Sequence, residues 1–137
     1  MTETRPLGVL DASALLAYLL GEPGSEVVER ALIGGLVMSA VNLAEVLAWF
    51  AEHGEDPLTT YEALKARGIV NGLVQIEPFV EADVPEVARL RPLTKAIGLS
   101  LGDRVCLALG RKLGLPVFTA DRAWENAGVT VEVRLVR

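Results

Sequence analysis

Short apolar runs alternate along the chain with longer stretches whose apolar positions recur at helical spacing. Leu7 to Leu10 reads as a strand, and Ala12 to Leu20 as a helix stopped by Gly21, Pro23 and Gly24. Ser25 is placed to cap a second helix running to about Ile33. Gly34-Gly35 breaks that helix, and Leu36 to Met38 follows as a second strand. The spacing of Leu43, Val46, Leu47 and Phe50 predicts a helix from Asn42 to about Glu52. Another helix begins at Thr59 or Thr60 and fades near Gly72, ahead of a third strand from Leu73 to Ile76. Asp83 is placed to cap a helix from Val84 or Pro85 towards Lys95. The stripe of Leu101, Val105, Ala108, Leu109 and Leu113 is opened by Ser100 and closed by Gly114. Val117 to Thr119 reads as a fourth strand, and Asp121 starts a short helix ending near Gly128. Val129 to Val136 alternates as a last strand at a sheet edge.

Strands separated by helices imply parallel crossovers. The expected fold is α/β, a three-layer helix–sheet–helix sandwich with a mainly parallel sheet of about five strands. With 137 residues and no linker, repeat or low-complexity tract, residues 1–137 read as a single domain.

In such a sandwich every crossover helix starts at the edge where the parallel strands end, which is where open α/β sheets bind ligands. Four acids fall on that edge. Asp11 follows the first strand, and Glu45 lies in the first turn of the helix after the second. Asp103 opens the helix before the fourth strand, and Asp121 follows that strand. Each taken alone reads as a helix cap. Asn42 to Glu45 has capping-box spacing, and Ser100 to Asp103 is an acidic variant of it. Carboxylates at helix N-termini gain about 0.3–1 kcal/mol from the dipole in any fold. Capping alone does not explain four like charges on one edge, because serine or asparagine caps as well. Ser13, Asn42 and Thr119 accompany them, whereas the single histidine, His53, lies at the far end of its helix. An oxygen-rich, nitrogen-poor set suits Mg²⁺ or Mn²⁺ and suits Zn²⁺ poorly. Such an ion relieves the repulsion, polarises a phosphodiester and lowers the pKa of an attacking water.

The composition is 51% hydrophobic, 5% aromatic and 23% charged, which fits a compact fold and argues against disorder. A mean hydropathy of +0.38 points to a buried self-interface or partner groove. The net charge of −5 argues against a general nucleic-acid coat, although metal-binding carboxylates would supply several of those charges. The lone cysteine, Cys106, excludes an intrachain disulfide, fits a reducing compartment and reads as a buried, inert thiol. Glu3 and Asp11 interrupt any signal-peptide pattern. Gly34, Gly35, Asn42 and Glu45 interrupt the apolar stretch from Ala31 to Phe50, so the expected location is the cytoplasm, with no membrane span.

The stretches "LDASALLAYLL", "SAVNLAEVL" and "LSLGDRVCLALGRKLGLPVFTADRAW" resemble the PIN domains, and within them the VapC-type toxins of toxin–antitoxin pairs. The resemblance spans essentially the whole chain in order. It implies that Asp11, Glu45, Asp103 and Asp121 are the family's catalytic, metal-holding acidic quartet, with Ser13, Asn42 and Thr119 as supporting polar residues. It further implies one or two Mg²⁺ or Mn²⁺ ions and hydrolysis of RNA to a 5′-phosphate and a 3′-hydroxyl. The expected partners are RNA, a VapB-type antitoxin covering the acidic site, and a second copy in a homodimer. The overall acidity departs from the basic rim common among RNA-cleaving members.

Arg104 and Arg122, each next to a site acid, are candidate RNA-phosphate contacts, with a surface ion pair or solvated charge as the plainer reading. The same two readings apply to Arg89, Arg91 and Lys95. Trp49 and Phe50 are candidates for a partner groove or dimer contact, with core burial as the plainer alternative. A receiver-type phosphoacceptor domain also gathers acids around Mg²⁺, yet it needs a paired acid near the first strand and a lysine after the last strand. This chain has Asp11 alone there and no lysine beyond Lys112. A haloacid-dehalogenase-type phosphatase needs an aspartate where Ser13 stands. A non-catalytic PIN scaffold is the remaining alternative to an endoribonuclease.

Overall fold

A computed structural model describes residues 5–137, so Glu3 lies outside the described residues. Five strands form one sheet: β1 (Gly8–Leu10), β2 (Leu36–Ser39), β3 (Val74–Glu77), β4 (Val117–Thr119) and β5 (Val133–Leu135). Their order is β3-β2-β1-β4-β5 and every pairing is parallel. The helices are α1 (Ala12–Leu19), α2 (Ser25–Ile33), α3 (Ala40–Glu52), α4 (Pro57–Ala66), α5 (Val84–Thr94) and α6 (Leu101–Leu113).

Because strand side chains alternate between faces, β1 and β4 each feed two cores. Leu10, Leu36, Met38, Val74 and Phe118 pack under α1 to α4. Val9 and Val117, their neighbours in sequence, pack with Val87, Leu90, Val105 and Leu107 of α5 and α6. The sandwich has three layers, as the alternation of runs predicts.

The strand order places β1 and β4 side by side although the chain leaves β1 towards β2 and enters β4 from α6. The crevice beyond the ends of these two strands is a topological switch point, the ligand edge of an open parallel sheet. Asp11 ends one of the two strands, and Asp121 lies just past the other.

Several element boundaries differ from expectation for physical reasons. Gly24, with a left-handed φ of 98°, stands at the cap of α2, and Ser25 is already helical. Asp83 stands at the N-cap position of α5 as expected, but its side chain makes no capping bond there; the carboxylate turns back to accept the Val80 N–H at 2.9 Å and closes a single 3₁₀ turn, Glu81–Asp83. The last strand shortens to three residues, because Val129 and Val131 pack against the α5–α6 core without joining the ladder. It does lie at the sheet edge. Cys106 is fully buried, as an inert thiol would be.

Candidate functional site

Asp11 leaves β1 in extended conformation and caps α1, its Oδ1 accepting the Ala14 N–H at 2.7 Å. Two hydroxyls hold the same carboxylate. Ser13 Oγ lies 2.8 and 2.9 Å from its two oxygens, and Thr119 Oγ1 donates to Oδ2 at 2.5 Å across the β1–β4 junction. Those hydroxyls are themselves fixed by the next strand end, since Ser13 Oγ accepts the Ala120 N–H and Thr119 Oγ1 accepts the Asp121 N–H, both at 3.0 Å.

Asp11 is only 4% exposed. Burial raises its pKa from 3.8 to about 6, against the lowering pull of the Thr119, Ala14 and Ser13 hydrogen bonds, and the nearby Asp103 charge adds to the rise. A carboxylate dried out with no paired side-chain cation is costly in its charged form.

Glu45 is held differently. The helix starts earlier than its sequence implies: Ser39 caps α3 through the Val41 N–H, so Asn42 is inside the helix and there is no capping box with Glu45. Asn42, 1% exposed, donates from Nδ2 to Glu45 Oε1 at 2.8 Å and to the Gly102 carbonyl at 3.0 Å, tying α3 to α6. Its Oδ1 is buried without a partner. Asp103 does form the expected capping box, accepting the Ser100 N–H at 2.9 Å while Ser100 Oγ accepts the Asp103 N–H at 3.1 Å. Asp121 is the exposed member, its Oδ1 taking the Ala123 N–H at 3.0 Å. Capping and clustering therefore coexist at Asp11, Asp103 and Asp121, whereas Glu45 caps nothing.

All four acids line one cleft of about 370 Å³, together with Ser13. Thr119 lies beneath Asp11, and Asn42 sits behind Glu45. Their joint field reaches Cys106, whose thiol is pushed well above its ordinary pKa by burial and further by Asp11, Asp103 and Glu45. The carboxylates share the cleft without closing into a cage. Among the described residues, no three histidine, cysteine or acidic side chains converge tightly enough to hold an ion as they stand. The donor set, all oxygen and including a buried carboxylate with no lysine or arginine partner among the described residues, fits a hard divalent ion that keeps part of its water shell.

Two features were missed or misweighed in the sequence. Gly102 is the first: a Cβ there would lie 2.3 Å from Glu45 Oε2. The signal was a glycine inside a helix, which costs roughly 1 kcal/mol against alanine and asks for a reason. The reason is close approach. The second is Trp49, which is half-buried and lines the acidic cleft with Leu16, Ala48 and Glu52 rather than filling the core.

The arginines do not join the acids. Arg104 Nη1 donates to the Val87 carbonyl at 3.0 Å and locks α6 to α5, and its Nε is buried without a partner. Arg122 is exposed in the 3₁₀ turn after Asp121, outside the cleft lining. Arg89 pairs with Glu86 on α5, and Arg91 and Lys95 are exposed there.

Fold and cleft together define an α/β protein whose parallel sheet carries an acidic ligand edge at its switch point. A profile of the PIN domain matches residues 8–129, and the chain belongs to that family. Among solved structures it is similar to FitAcB from Neisseria gonorrhoeae, at 24% identity over 93% of this chain and 96% of that one, with a TM-score of 0.70. It is similar to VapBC2 from Rickettsia felis bound to a DNA fragment from its promoter, at 12% identity over 93% and 96%, with a TM-score of 0.67. Mycobacterium tuberculosis VapC20, a sarcin–ricin-loop-cleaving toxin, matches at 18% identity over 90% and 98%, also with a TM-score of 0.67. At these identities the likeness is one of fold. No curated protein sequence matches the chain. Among the described residues, no helix is long and apolar enough to cross a membrane.

Proposed function

We propose that this protein is a divalent-metal-dependent endoribonuclease, the toxin of a VapBC-type pair, acting in the cytoplasm as a homodimer and restrained by a VapB-type antitoxin. The observation that carries the reading is the cleft itself: four carboxylates in no ion pair among the described residues, one of them buried, at the switch point of a PIN fold. Several structures of similar fold are toxin–antitoxin complexes, including one from Klebsiella pneumoniae at 16% identity, which supports the partner assignment.

Asp11, Glu45 and Asp103 would hold the first Mg²⁺ or Mn²⁺, directly or through water, and Asp121 would complete the site or assist a second ion. When bound, the metal supplies Lewis acidity, polarising the phosphodiester and lowering the pKa of water. The chain's own residues orient the reactants. Ser13, Thr119 and the Ala14 N–H fix both oxygens of Asp11, so its lone pairs point one way without reorganisation. Asn42 fixes Glu45, and the Ser100 N–H fixes Asp103. Asp121, the exposed acid, would orient the attacking water and take its proton as the water oxygen bonds to phosphorus; the phosphorus–O3′ bond breaks and the leaving 3′-oxygen takes a proton from solvent, which leaves a 5′-phosphate and a 3′-hydroxyl.

The test is cleavage of a mixed oligoribonucleotide pool with Mg²⁺ by wild type, Asp11→Asn and Asp103→Asn, each with its melting temperature recorded. The expected result is a loss of about a hundredfold or more in both variants, the scale seen when one preorganised charge partner is removed. Equal rates in folded variants would overturn the reading. Mg²⁺ binding by wild type without any cleavage would assign the protein as a non-catalytic PIN scaffold.

A further inference from the structure

The acidic cleft is lined by more than its four acids: further along α1 and α3 from the strand ends, Leu16, Trp49 and Glu52 also line it. Trp49 lies four residues after Glu45 on α3, one helical turn and roughly 6 Å along the axis, and both line the same cleft. Its indole is not loose. The His53 ring stacks on it at 3.8 Å and 20°, and the Phe50 ring meets it edge-on at 5.1 Å. His53 is held in turn by a 2.7 Å hydrogen bond between Nδ1 and the Trp49 carbonyl. Trp49 is thus a braced aromatic wall, one turn from the acids, in a chain that is only 5% aromatic.

We propose that Trp49 is the platform on which an unpaired nucleobase of the RNA substrate stacks while the phosphate next to that base lies over the acids. The proposal rests on the ribonuclease reading above. Charge favours this occupant beside Trp49. Glu45 and Glu52 flank the indole and repel backbone phosphates, but they do not repel an uncharged base. Glu52 offers only acceptor oxygens, so it favours base edges that donate hydrogen bonds. A base still paired in a helix cannot stack on a side chain, so the substrate class is RNA with the cleaved bond in a single-stranded loop or tail. Every base has a π-face, so the wall itself selects for unpairing more than for sequence.

Base–aromatic stacking sets the expected effect: Trp49→Ala raises KM roughly tenfold on a single-stranded oligoribonucleotide, leaves kcat within about twofold, and Trp49→Phe retains most of the affinity. An abasic nucleotide beside the cleaved bond raises the wild-type KM by a similar factor, and Trp49→Ala then adds nothing further. An unchanged KM in Trp49→Ala overturns the platform. So does an equal loss on intact and abasic substrates, which marks a merely structural role.

Fluorescence separates this proposal from the nuclease reading. The chain has two tryptophans, and Trp124 is only 1% exposed, so stacking quenches Trp49 emission. Oligouridylate or oligoadenylate added with Ca²⁺ should quench wild type and leave Trp49→Phe unchanged. If wild type cleaves no RNA yet is quenched, the platform stands and the nuclease reading falls. No quench, or quench by an antitoxin peptide alone, overturns the platform whatever the activity.

Discussion

The two ends of α6 handle charge in opposite ways. At its C-terminal end Arg111 pairs with Glu86 at 2.7 Å and Lys112 with Asp83 at 3.0 Å, so each acid of the α5–α6 seam has a base. At its N-terminal end Asp103 shares a cleft with Asp11, Glu45 and Asp121, and among the described residues no ion pair includes any of the four. A cation was near at hand: Arg104 follows Asp103 directly, yet its guanidinium turns to a backbone carbonyl of α5. Seam acids are finished by the protein, whereas edge acids are held in place by neutral donors and left unfinished. That contrast, more than acidity as such, sets the carboxylates proposed to hold a ligand apart from the structural ones.

The largest test of the contrast is pH. Folding raises the Asp11 pKa from 3.8 to about 6, so the native chain keeps a proton that the unfolded chain has lost between those values. The stability contributed by Asp11 is therefore full below about 3.8 and is lost as pH rises through about 6, a swing on the order of 2–3 kcal/mol. Asp83 runs the other way. The Val80 N–H, and after it Lys112, holds its carboxyl below the ordinary range, so its contribution is present at neutral pH and fades on acidification. Urea denaturation without divalent ions, from pH 3.5 to 7.5, should show wild type losing ground to Asp11→Asn as pH rises. A flat difference between the two proteins would remove Asp11 from the strained edge.

A divalent cation should act on one end of α6 only. At a hundred times its Kd, Mg²⁺ adds about 2.7 kcal/mol of stability at neutral pH, or roughly 5–10 °C in Tm for a chain of this size. Glu45→Gln and Asp103→Asn should lose most of that shift, and Asp83→Asn should keep it. Equal shifts in all three would show that the ion binds elsewhere.

Gly102 gives a smaller effect that is specific to the edge. Alanine there forces the Glu45 carboxylate away, since the new Cβ would overlap Oε2, while the flexible end of Glu45 lets the helix survive. Gly102→Ala should lower RNA cleavage about tenfold to a hundredfold, the cost of misplacing a reacting group by about 1 Å. Its Tm should stay within a few degrees, because alanine is the better helix former. Cleavage at the wild-type rate would mean that the position of Glu45 does not matter.

Much of this was legible in the sequence. The alternation of buried runs and helical stripes dictated the parallel sandwich. The acids at 11, 45, 103 and 121 fell on one edge because topology, not side-chain contact, puts helix starts there. Two kinds of fact were not legible. Which neutral group holds which acid depends on the β1–β4 junction, where Thr119 meets Asp11 across 108 positions of chain. Where a helix begins also shifts roles: Ser39 takes the cap of α3, which frees Asn42 to bridge Glu45 and α6. Arg104 shows the limit most plainly, since its neighbour in sequence is a site acid and its partner in space is Val87.

The smallest expected effect lies at the seam and bounds the whole comparison. The Lys112–Asp83 pair is partly exposed, the Lys112 side chain 54% and the Asp83 side chain 17% accessible. Such pairs contribute about 0.2–1 kcal/mol, because water screens them and two long side chains lose freedom in forming them. Lys112→Met should therefore cost under about 1 kcal/mol in urea denaturation, with the cost fading in 1 M salt, and it should leave RNA cleavage and the Mg²⁺-induced Tm shift unchanged. The informative failure is a change in cleavage. If removing a cation from the far end of α6 altered the reaction, the charges along the helix would act as one field, and the edge acids would owe their state to the seam as well as to their own hydrogen bonds.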